Sequence, residues 1–119
     1  MVNISELIGI PYLADGASEQ GCDCWGLVQL YYSKYKNTQL PKFAGVYTNP
    51  QLVRPIGEKQ LVAGDIVLIR EFGDSLHCGV YLYNDIILNS QDPHGSHLAK
   101  LTSPKWKGRV LSYLRINHV

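Results

Sequence analysis

The sequence lacks the long apolar runs of a membrane protein. No stretch approaches the roughly 18 consecutive apolar residues that a membrane-spanning helix needs. The N-terminal residues, MVNISELIGIPYLADG, have neither a positively charged start nor an apolar run that ends in small residues, so they do not match a signal peptide. We therefore expect a chain without a signal peptide or membrane insertion that is made as a soluble protein.

Strong charge and internal repetition are also missing. The chain has 11 Lys and Arg against 10 Asp and Glu, a net charge of +1, which offers no broad basic field for nucleic acid. Hydrophobic residues make up 45% and charged residues 18%, which excludes a disordered chain. No repeat or low-complexity tract is visible, and a second core does not fit in 119 residues. We predict a single domain over residues 1–119.

Cysteine is scarce, with three residues, too few for a disulfide scaffold of this size. Cys22 and Cys24 nevertheless lie close together in GCDCWG, which suggests a metal clip, half of a disulfide or a nucleophile. A metal site would add His77 and Cys78, but the Cys-x-Cys spacing is tight, and strand neighbours point to opposite faces. A Cys22–Cys24 disulfide would be strained. We therefore expect no metal site and treat Cys22 and Cys78 as small, semi-buried hydrophobes.

The first half of the chain predicts helices. NISELIGI has Asn3 or Ser5 as a cap and reads as a short amphipathic helix that ends before Pro11. PYLADGASEQG follows as loop. Apolar residues then recur every three or four positions over residues 24–35, the clearest helix in the chain. Residues 38–57 contain three prolines and predict an irregular connection with one helical turn at most.

The second half predicts strands. Five short segments are rich in Val, Ile, Leu and Tyr and are separated by turn signals: GDIVLIREF, HCGVYLYN, DIILNS, SHLAKL and GRVLSYLRI. Helices followed by consecutive strands are typical of the α+β class. We expect N-terminal helices packed on an antiparallel sheet of about five strands.

Cys24 occupies the position that best suits a nucleophile. With Asp23 or Cys22 as the cap, Cys24 lies in the first turn of the helix, where unpaired N–H groups and the helix dipole stabilise a thiolate. Gly26 is unusual inside a helix, because glycine costs about 1 kcal/mol there relative to alanine. We interpret it as a sign of close approach by another backbone or a substrate.

A thiolate nucleophile needs a base and a group that orients that base. His77 opens a predicted strand, a rigid mount for a base. The other histidines, His94, His97 and His118, lie in a polar loop or near the C-terminus, and we expect them to be exposed.

Asn89 lies twelve positions after His77. A hairpin that turns at residues 84–85 would bring Asn89 back beside the start of the His77 strand, where its amide could orient the ring. An ordinary strand-end residue is the alternative interpretation. Arg70 and Glu71, at another strand end, are weaker candidates for the site.

Three segments in this order, GIPYLADGASEQGCDCWGLVQLYY, GDIVLI and HCGVYLYNDIILNS, resemble the NlpC-type cell-wall peptidases, which are papain-like cysteine enzymes. The resemblance covers most of the chain and implies a nucleophile at a helix N-terminus. By position it implies that Cys24 is the nucleophile, His77 the base and Asn89 the third polar residue. Tyr12 matches the loop tyrosine that helps the Cys24 backbone N–H stabilise the oxyanion.

The resemblance also implies a structural or substrate-amine contact for Asp23. The sequence departs from the family pattern at three positions. Trp25 stands where serine is commoner and could reshape the cleft. Gly16 stands where two glycines are frequent. Asn89 replaces the more usual histidine.

The function implied is hydrolysis of peptidoglycan stem peptides through a thioester, commonly at the bond between D-glutamate and diaminopimelate, without a cofactor. The tryptophan of DCWG and the compact form are most similar to members found in phage tail tips. We therefore expect synthesis in the bacterial cytoplasm, action at the cell wall as a virion component, and other tail proteins as partners. The alternative is a structural tail-tip or assembly protein whose catalysis is weak or lost.

Overall fold

The computed structural model describes residues 3–42, 45–71, 73 and 75–117. The chain begins with a 3-10 helix, Ile4–Leu7, and the Asn3 side chain accepts a hydrogen bond from the Ser5 N–H at its start. The predicted short N-terminal helix is present with Asn3 as its cap, in the tighter 3-10 form. Within the described ranges, no helix combines the length and the apolar character that a membrane crossing requires.

A small hairpin follows where the sequence predicted only loop. Strands β1 (Ala17–Ser18) and β2 (Gly21–Cys22) pair antiparallel. Two-residue strands are too short to show an alternating pattern, so the prediction of loop was wrong here. Backbone hydrogen bonds from Cys22 N–H to Pro11 O (3.0 Å) and from Leu13 N–H to Cys22 O (3.2 Å) fix the hairpin against the preceding loop.

The one α-helix of the described residues, α1, spans Cys24–Tyr35, as predicted. The Asp23 side chain caps it by accepting from the Gly26 N–H at 2.7 Å. Lys34 lies in the last turn, where a cation suits the carbonyl end of the helix dipole.

The connection after α1 contains a strand that the sequence analysis missed. After a 3-10 helix, Val46–Thr48, the chain forms β3 (Val53–Ile56) and another 3-10 turn, Glu58–Gln60. Our prediction of irregular structure up to residue 57 is therefore wrong for β3. Its proline, Pro55, suggested a loop, but β3 is an edge strand, where a residue without an N–H is tolerated.

The main sheet has six strands rather than about five. Its remaining members are β4 (Ile66–Arg70), β5 (Leu76–Tyr83), β6 (Ile86–Gln91), β7 (Gly95–Lys100) and β8 (Val110–Ile116). The order across the sheet is β3-β8-β4-β5-β6-β7, and neighbouring strands are antiparallel. The five predicted strands and the α+β class are confirmed.

Apolar side chains pack on both faces of the sheet. The larger cluster joins α1 to one face and includes Leu27, Val28, Tyr31, Ile66, Val80 and Leu88. A smaller cluster covers the other face with Val67, Ile69, Ile87 and Trp106. Since strand residues alternate between faces, Cys78 belongs to the helix side and His77 stacks on Trp106 at the opposite side.

Gly26 is the point where α1 contacts the N-terminal loop most closely. A Cβ atom at Gly26 would lie 1.8 Å from the backbone oxygen of Gly16. The Asp23 N–H also donates to that oxygen at 3.1 Å. The crowding predicted from the sequence is therefore present, and its partner is the carbonyl of Gly16.

We expect Gly26→Ala to destabilise the protein by roughly 3 kcal/mol or more, because the added methyl group overlaps backbone that cannot rotate away. Urea unfolding followed by circular dichroism measures the change. Gly57→Ala is the matched control, since a Cβ there would lie 3.4 Å from the end of the flexible Gln60 side chain. Equal stability of the two variants would contradict the close packing at Gly26.

Candidate active site

Cys24 is the first residue of α1, and Asp23 fixes its position. One Asp23 carboxylate oxygen accepts from the Gly26 N–H at 2.7 Å and the other from the Asp15 N–H at 3.0 Å. The Asp23 carboxylate therefore holds the start of the helix and the preceding loop together. Cys24, half-buried and free of any disulfide, is presented at this junction.

His77 and Asn89 lie together at the same place. His77 is 2% exposed and Asn89 is fully buried. Nε2 of His77 lies 3.0 Å from Oδ1 of Asn89, and Nδ2 of Asn89 donates to the carbonyl of His97 at 3.2 Å. Because the amide oxygen can only accept, Nε2 carries the proton, and Nδ1 is the nitrogen available to Cys24.

The hairpin of β5 and β6 brings Asn89 to His77 as the spacing predicted. Asn84 and Asp85 both have positive φ angles, 48° and 63°, which is typical of a tight hairpin turn. Gly79 lies across from Asn89, and a Cβ on it would approach the Asn89 Cβ to 3.3 Å. The absence of a side chain at Gly79 leaves room for the diagonal contact between His77 and Asn89.

The surroundings of Cys24 favour its thiolate. Hydrogen bonding from the Cys78 side chain, together with the His77 ring, lowers the pKa of Cys24 to about 5 although burial opposes this shift. Burial by itself lowers the pKa of His77, but hydrogen bonding to Cys24 and to Asn89 outweighs it and raises that pKa. The two shifts in opposite directions favour a thiolate–imidazolium pair between Cys24 and His77 near neutral pH.

The other two cysteines pack as small hydrophobes but are buried completely, whereas the sequence predicted them to be semi-buried. Burial raises the pKa of Cys22. Hydrogen bonding to Cys24, and then burial, raises the pKa of Cys78 well above its usual value. Cys78 and His77 point to opposite faces as predicted, yet hydrogen bonding from both lowers the pKa of Cys24.

Tyr12 faces the site from the N-terminal loop. It pairs with Cys22 in an isolated parallel bridge, so the loop runs beside the residue two positions before Cys24. Burial, and then the negative charge of Asp23, raises the pKa of the Tyr12 phenol, which keeps it a hydroxyl donor at neutral pH.

Trp25 forms one wall of a cavity beside the nucleophile. Its Nε1 donates to the carbonyl of Pro41 at 2.9 Å, and its ring meets Tyr47 edge to face, with 5.7 Å between centroids. The cavity is about 520 Å³ and is lined by Asp15, Gly16, Asp23, Cys24, Trp25, Gln29, Lys42, Tyr47 and Leu76.

A second, smaller cavity of about 180 Å³ opens on the side of the base. It is lined by Tyr12, Cys24, Glu71, Leu76, His77, Ser90, Gln91 and Asp92. Cys24 and Leu76 belong to both cavities. The thiol therefore lies at the boundary between two recesses, as a nucleophile must if a chain passes over it from one side to the other.

Neither of the other two described histidines lines the two cavities, and His97 takes part only through its backbone carbonyl. His94 is exposed as predicted. His97 is half-buried, so the prediction that it is exposed was wrong. Its Nδ1 lies 2.9 Å from the carbonyl oxygen of Gly95. His118 lies outside the described residues.

The sequence analysis missed Trp106 and undervalued Glu71. The Trp106 ring stacks on His77 with 5.3 Å between centroids and an angle of 8°. Oε1 of Glu71 lies 3.6 Å from Nδ1 of His77. A tryptophan in a lysine-rich turn and an acid at a strand end are surface patterns, so the only usable signal was the strand-end position of Glu71.

The pKa directions predict selective alkylation of Cys24. Its thiolate forms as the pH rises through about 5, whereas Cys22 and Cys78 stay protonated until above their usual range. At pH 6 we expect iodoacetamide to modify Cys24 at least about tenfold faster than the others. Peptide mass mapping after short exposure measures this. Modification of Cys22 or Cys78 first, or an onset for Cys24 near pH 8 to 9, would contradict the assignment.

Comparison with known proteins points to one family. Residues 9–115 match the model of the NlpC/P60 family. The chain is 27% identical over 108 residues to the Escherichia coli K12 murein DD-endopeptidase MepS/murein LD-carboxypeptidase, covering 91% of this chain and 56% of that protein. It is 35% identical over 115 residues to the bifunctional muramidase/DL-endopeptidase CwlT of Bacillus subtilis 168, covering 91% of this chain and 33% of that protein.

The fold also has a solved counterpart. A lipoprotein-like NLP/P60 family protein from Staphylococcus aureus superposes with a TM-score of 0.78 at 25% identity, over 98% of this chain and 40% of that one. The chain thus spans about half the length, or less, of these relatives. By the match over residues 9–115, the chain belongs to the NlpC/P60 family.

Proposed function

We propose that the chain is a cysteine peptidase that hydrolyses peptidoglycan stem peptides, with Cys24 as the nucleophile, His77 as the base and Asn89 as the orienting residue. The observation that carries the proposal is the position of Cys24 at the capped start of α1, where it lines one cavity with a His77 ring whose Nε2 lies 3.0 Å from Oδ1 of Asn89. A nucleophile, a base and an orienting group in this order are the parts that covalent catalysis requires.

The first half of the reaction is acyl transfer to sulfur. The Cys24 thiolate attacks the carbonyl carbon of the scissile amide, and its electron pair forms the S–C bond while the carbonyl oxygen becomes an oxyanion. The backbone N–H of Cys24 and the Tyr12 hydroxyl are the donors we assign to that oxyanion. Nδ1–H of His77 then protonates the leaving nitrogen as the C–N bond breaks, which leaves a thioester and a neutral ring.

The second half reverses these roles. The neutral Nδ1 of His77 takes a proton from water, whose oxygen attacks the thioester carbonyl. Collapse of the second oxyanion releases the carboxylic acid and restores the thiolate beside the imidazolium. Through both halves Asn89 keeps Nε2–H occupied, so the ring cannot turn its other nitrogen away from Cys24.

We propose murein as the substrate class because the relatives named above are murein and cell-wall endopeptidases. Those names cover DD, LD and DL cleavage. The bond between D-glutamate and diaminopimelate, which the resemblance implies, is the one we assign to this chain. The cavity of about 520 Å³ can hold the acyl part of a short peptide. Both Asp23 oxygens already accept from backbone N–H groups, so we assign Asp23 the structural role rather than the contact with a substrate amine.

We assign Trp25 the role of shaping that larger cavity. Its indole is 4% exposed and is fixed by the Pro41 carbonyl and the Tyr47 ring, so it forms a rigid wall next to Cys24.

The proposal that the chain acts as a phage tail component, with other tail proteins as partners, rests on the resemblance carried by Trp25. A purely structural tail protein is the outcome to which inactivity of the wild-type chain would point.

We expect Cys24→Ser to lower the rate of stem-peptide hydrolysis by about a thousandfold or more, because a serine hydroxyl beside His77 is not ionised at neutral pH. The assay incubates the protein with purified peptidoglycan fragments and identifies the products by mass, which also locates the scissile bond.

Cys22→Ala is the matched control for this experiment, since Cys22 is a fully buried thiol two residues away whose pKa burial raises. It should retain wild-type activity within about threefold if its unfolding transition is unchanged. Equal activity of wild type and Cys24→Ser would contradict the role of Cys24. Inactivity of the wild-type chain toward every stem peptide would favour the structural alternative.

A further inference from the structure

The base has a neighbour that a Cys-His-Asn site does not require. Nε2 of His77 is engaged by Asn89, which leaves Nδ1 for Cys24. Oε1 of Glu71 lies 3.6 Å from that same Nδ1. Glu71 follows β4, so it reaches the ring from a segment that carries neither the nucleophile nor the amide. A carboxylate this close favours the charged form of an imidazole.

Glu71 is held in place by its own contacts. Its N–H donates to the carbonyl of Ser75 at 2.8 Å, which closes the turn between β4 and β5. Its Oε2 accepts from Nε2 of Gln91 at 3.3 Å, while Oε1 of Gln91 accepts from Nζ of Lys105 at 3.0 Å. Gln91 is only 7% exposed. This buried amide therefore connects the acid to a lysine and fixes the direction of the carboxylate.

The same lysine returns to the base by a second route. Nζ of Lys105 lies 5.1 Å from the centre of the Trp106 ring, and Trp106 stacks on His77. The indole covers one face of the imidazole, and water exclusion strengthens the interaction of the ring with a nearby charge. The contacts from Glu71 through Gln91 and Lys105 to Trp106 thus begin and end at His77.

We propose that Glu71 is a positioning residue of this site, whose carboxylate, held by Gln91 beside Nδ1, keeps the His77 ring charged. This inference deepens the proposed function and rests on it for its catalytic meaning. Glu71 stabilises the imidazolium until the leaving nitrogen is protonated, and it disfavours the neutral ring.

Other charged and titratable groups face this ring. Cys24 approaches from α1, and its thiolate acts in the same direction as Glu71. Lys105 acts in the opposite direction from beyond Trp106. Asp92 and Tyr12 line the same small cavity. Of these groups, Glu71 can be neutralised by one isosteric change that leaves the nucleophile and the Asn89 amide untouched.

The test is Glu71→Gln, read by nitrogen NMR of the histidine ring in protein labelled with nitrogen-15 histidine. His77→Ala assigns the signal. We expect the titration midpoint of His77 to move to lower pH, because the charge that favoured the imidazolium is gone while an oxygen remains to accept from Gln91. On the alkaline limb of the pH profile, hydrolysis should fall roughly threefold. An unchanged midpoint would overturn the proposal.

Three further variants separate position from overall charge. Glu58→Gln removes the same charge from an exposed acid that lines a different cavity, and it should leave the His77 midpoint in place. Glu71→Asp keeps the charge, so its His77 midpoint should lie between those of Glu71→Gln and the wild type. Gln91→Leu keeps Glu71 but frees it, and should move the midpoint in the same direction as Glu71→Gln. An equal shift in Glu58→Gln, or an unchanged midpoint in Glu71→Gln or in Gln91→Leu, would overturn the proposal.

The NMR readout needs no substrate. An inactive wild-type protein whose His77 midpoint still responds to Glu71 would contradict the proposed function but not the role of Glu71. An active protein whose midpoint ignores Glu71 would contradict only the latter.

Discussion

The site depends on the hydrogen bonds of one carboxylate, that of Asp23. It accepts from the Gly26 N–H and from the Asp15 N–H, and the Asp23 N–H in turn donates to the carbonyl of Gly16. Because a side chain on Gly26 would overlap that same carbonyl, the helix start and the loop can meet only with glycine at this position. Cys24 lies inside this junction, so these contacts fix the position of its backbone.

The sheet brings the other half of the site to this junction. The tight turn at Asn84 and Asp85 places Asn89 diagonal to His77, and Gly79 leaves the space between them open. At the start of β5 two successive residues, His77 and Cys78, both reach Cys24. The Cys78 side chain and then the His77 ring lower the pKa of Cys24, and together they outweigh the burial that would otherwise keep it protonated.

Much of this could be predicted from the sequence because the signals are local. The helix over residues 24–35, five strands, the cap at Asp23 and the hairpin that returns Asn89 all follow from periodicity, turn residues and spacing. The strand β3 could not, since Pro55 argues against a strand until its edge position is known. Nor could the contacts of Glu71, Gln91, Lys105 and Trp106 be predicted, because they join separate segments whose sequences resemble exposed turns.

The most direct test of the account is to trap the acyl-enzyme. Protein mixed with a stem peptide and quenched in acid within its first turnovers should gain the mass of the acyl half of the peptide. Fragmentation should place that mass on Cys24. The adduct persists because thioesters survive acid, in which Nδ1 of His77 no longer activates water. Product release with no adduct on Cys24, or an adduct on another residue, would contradict the central claim.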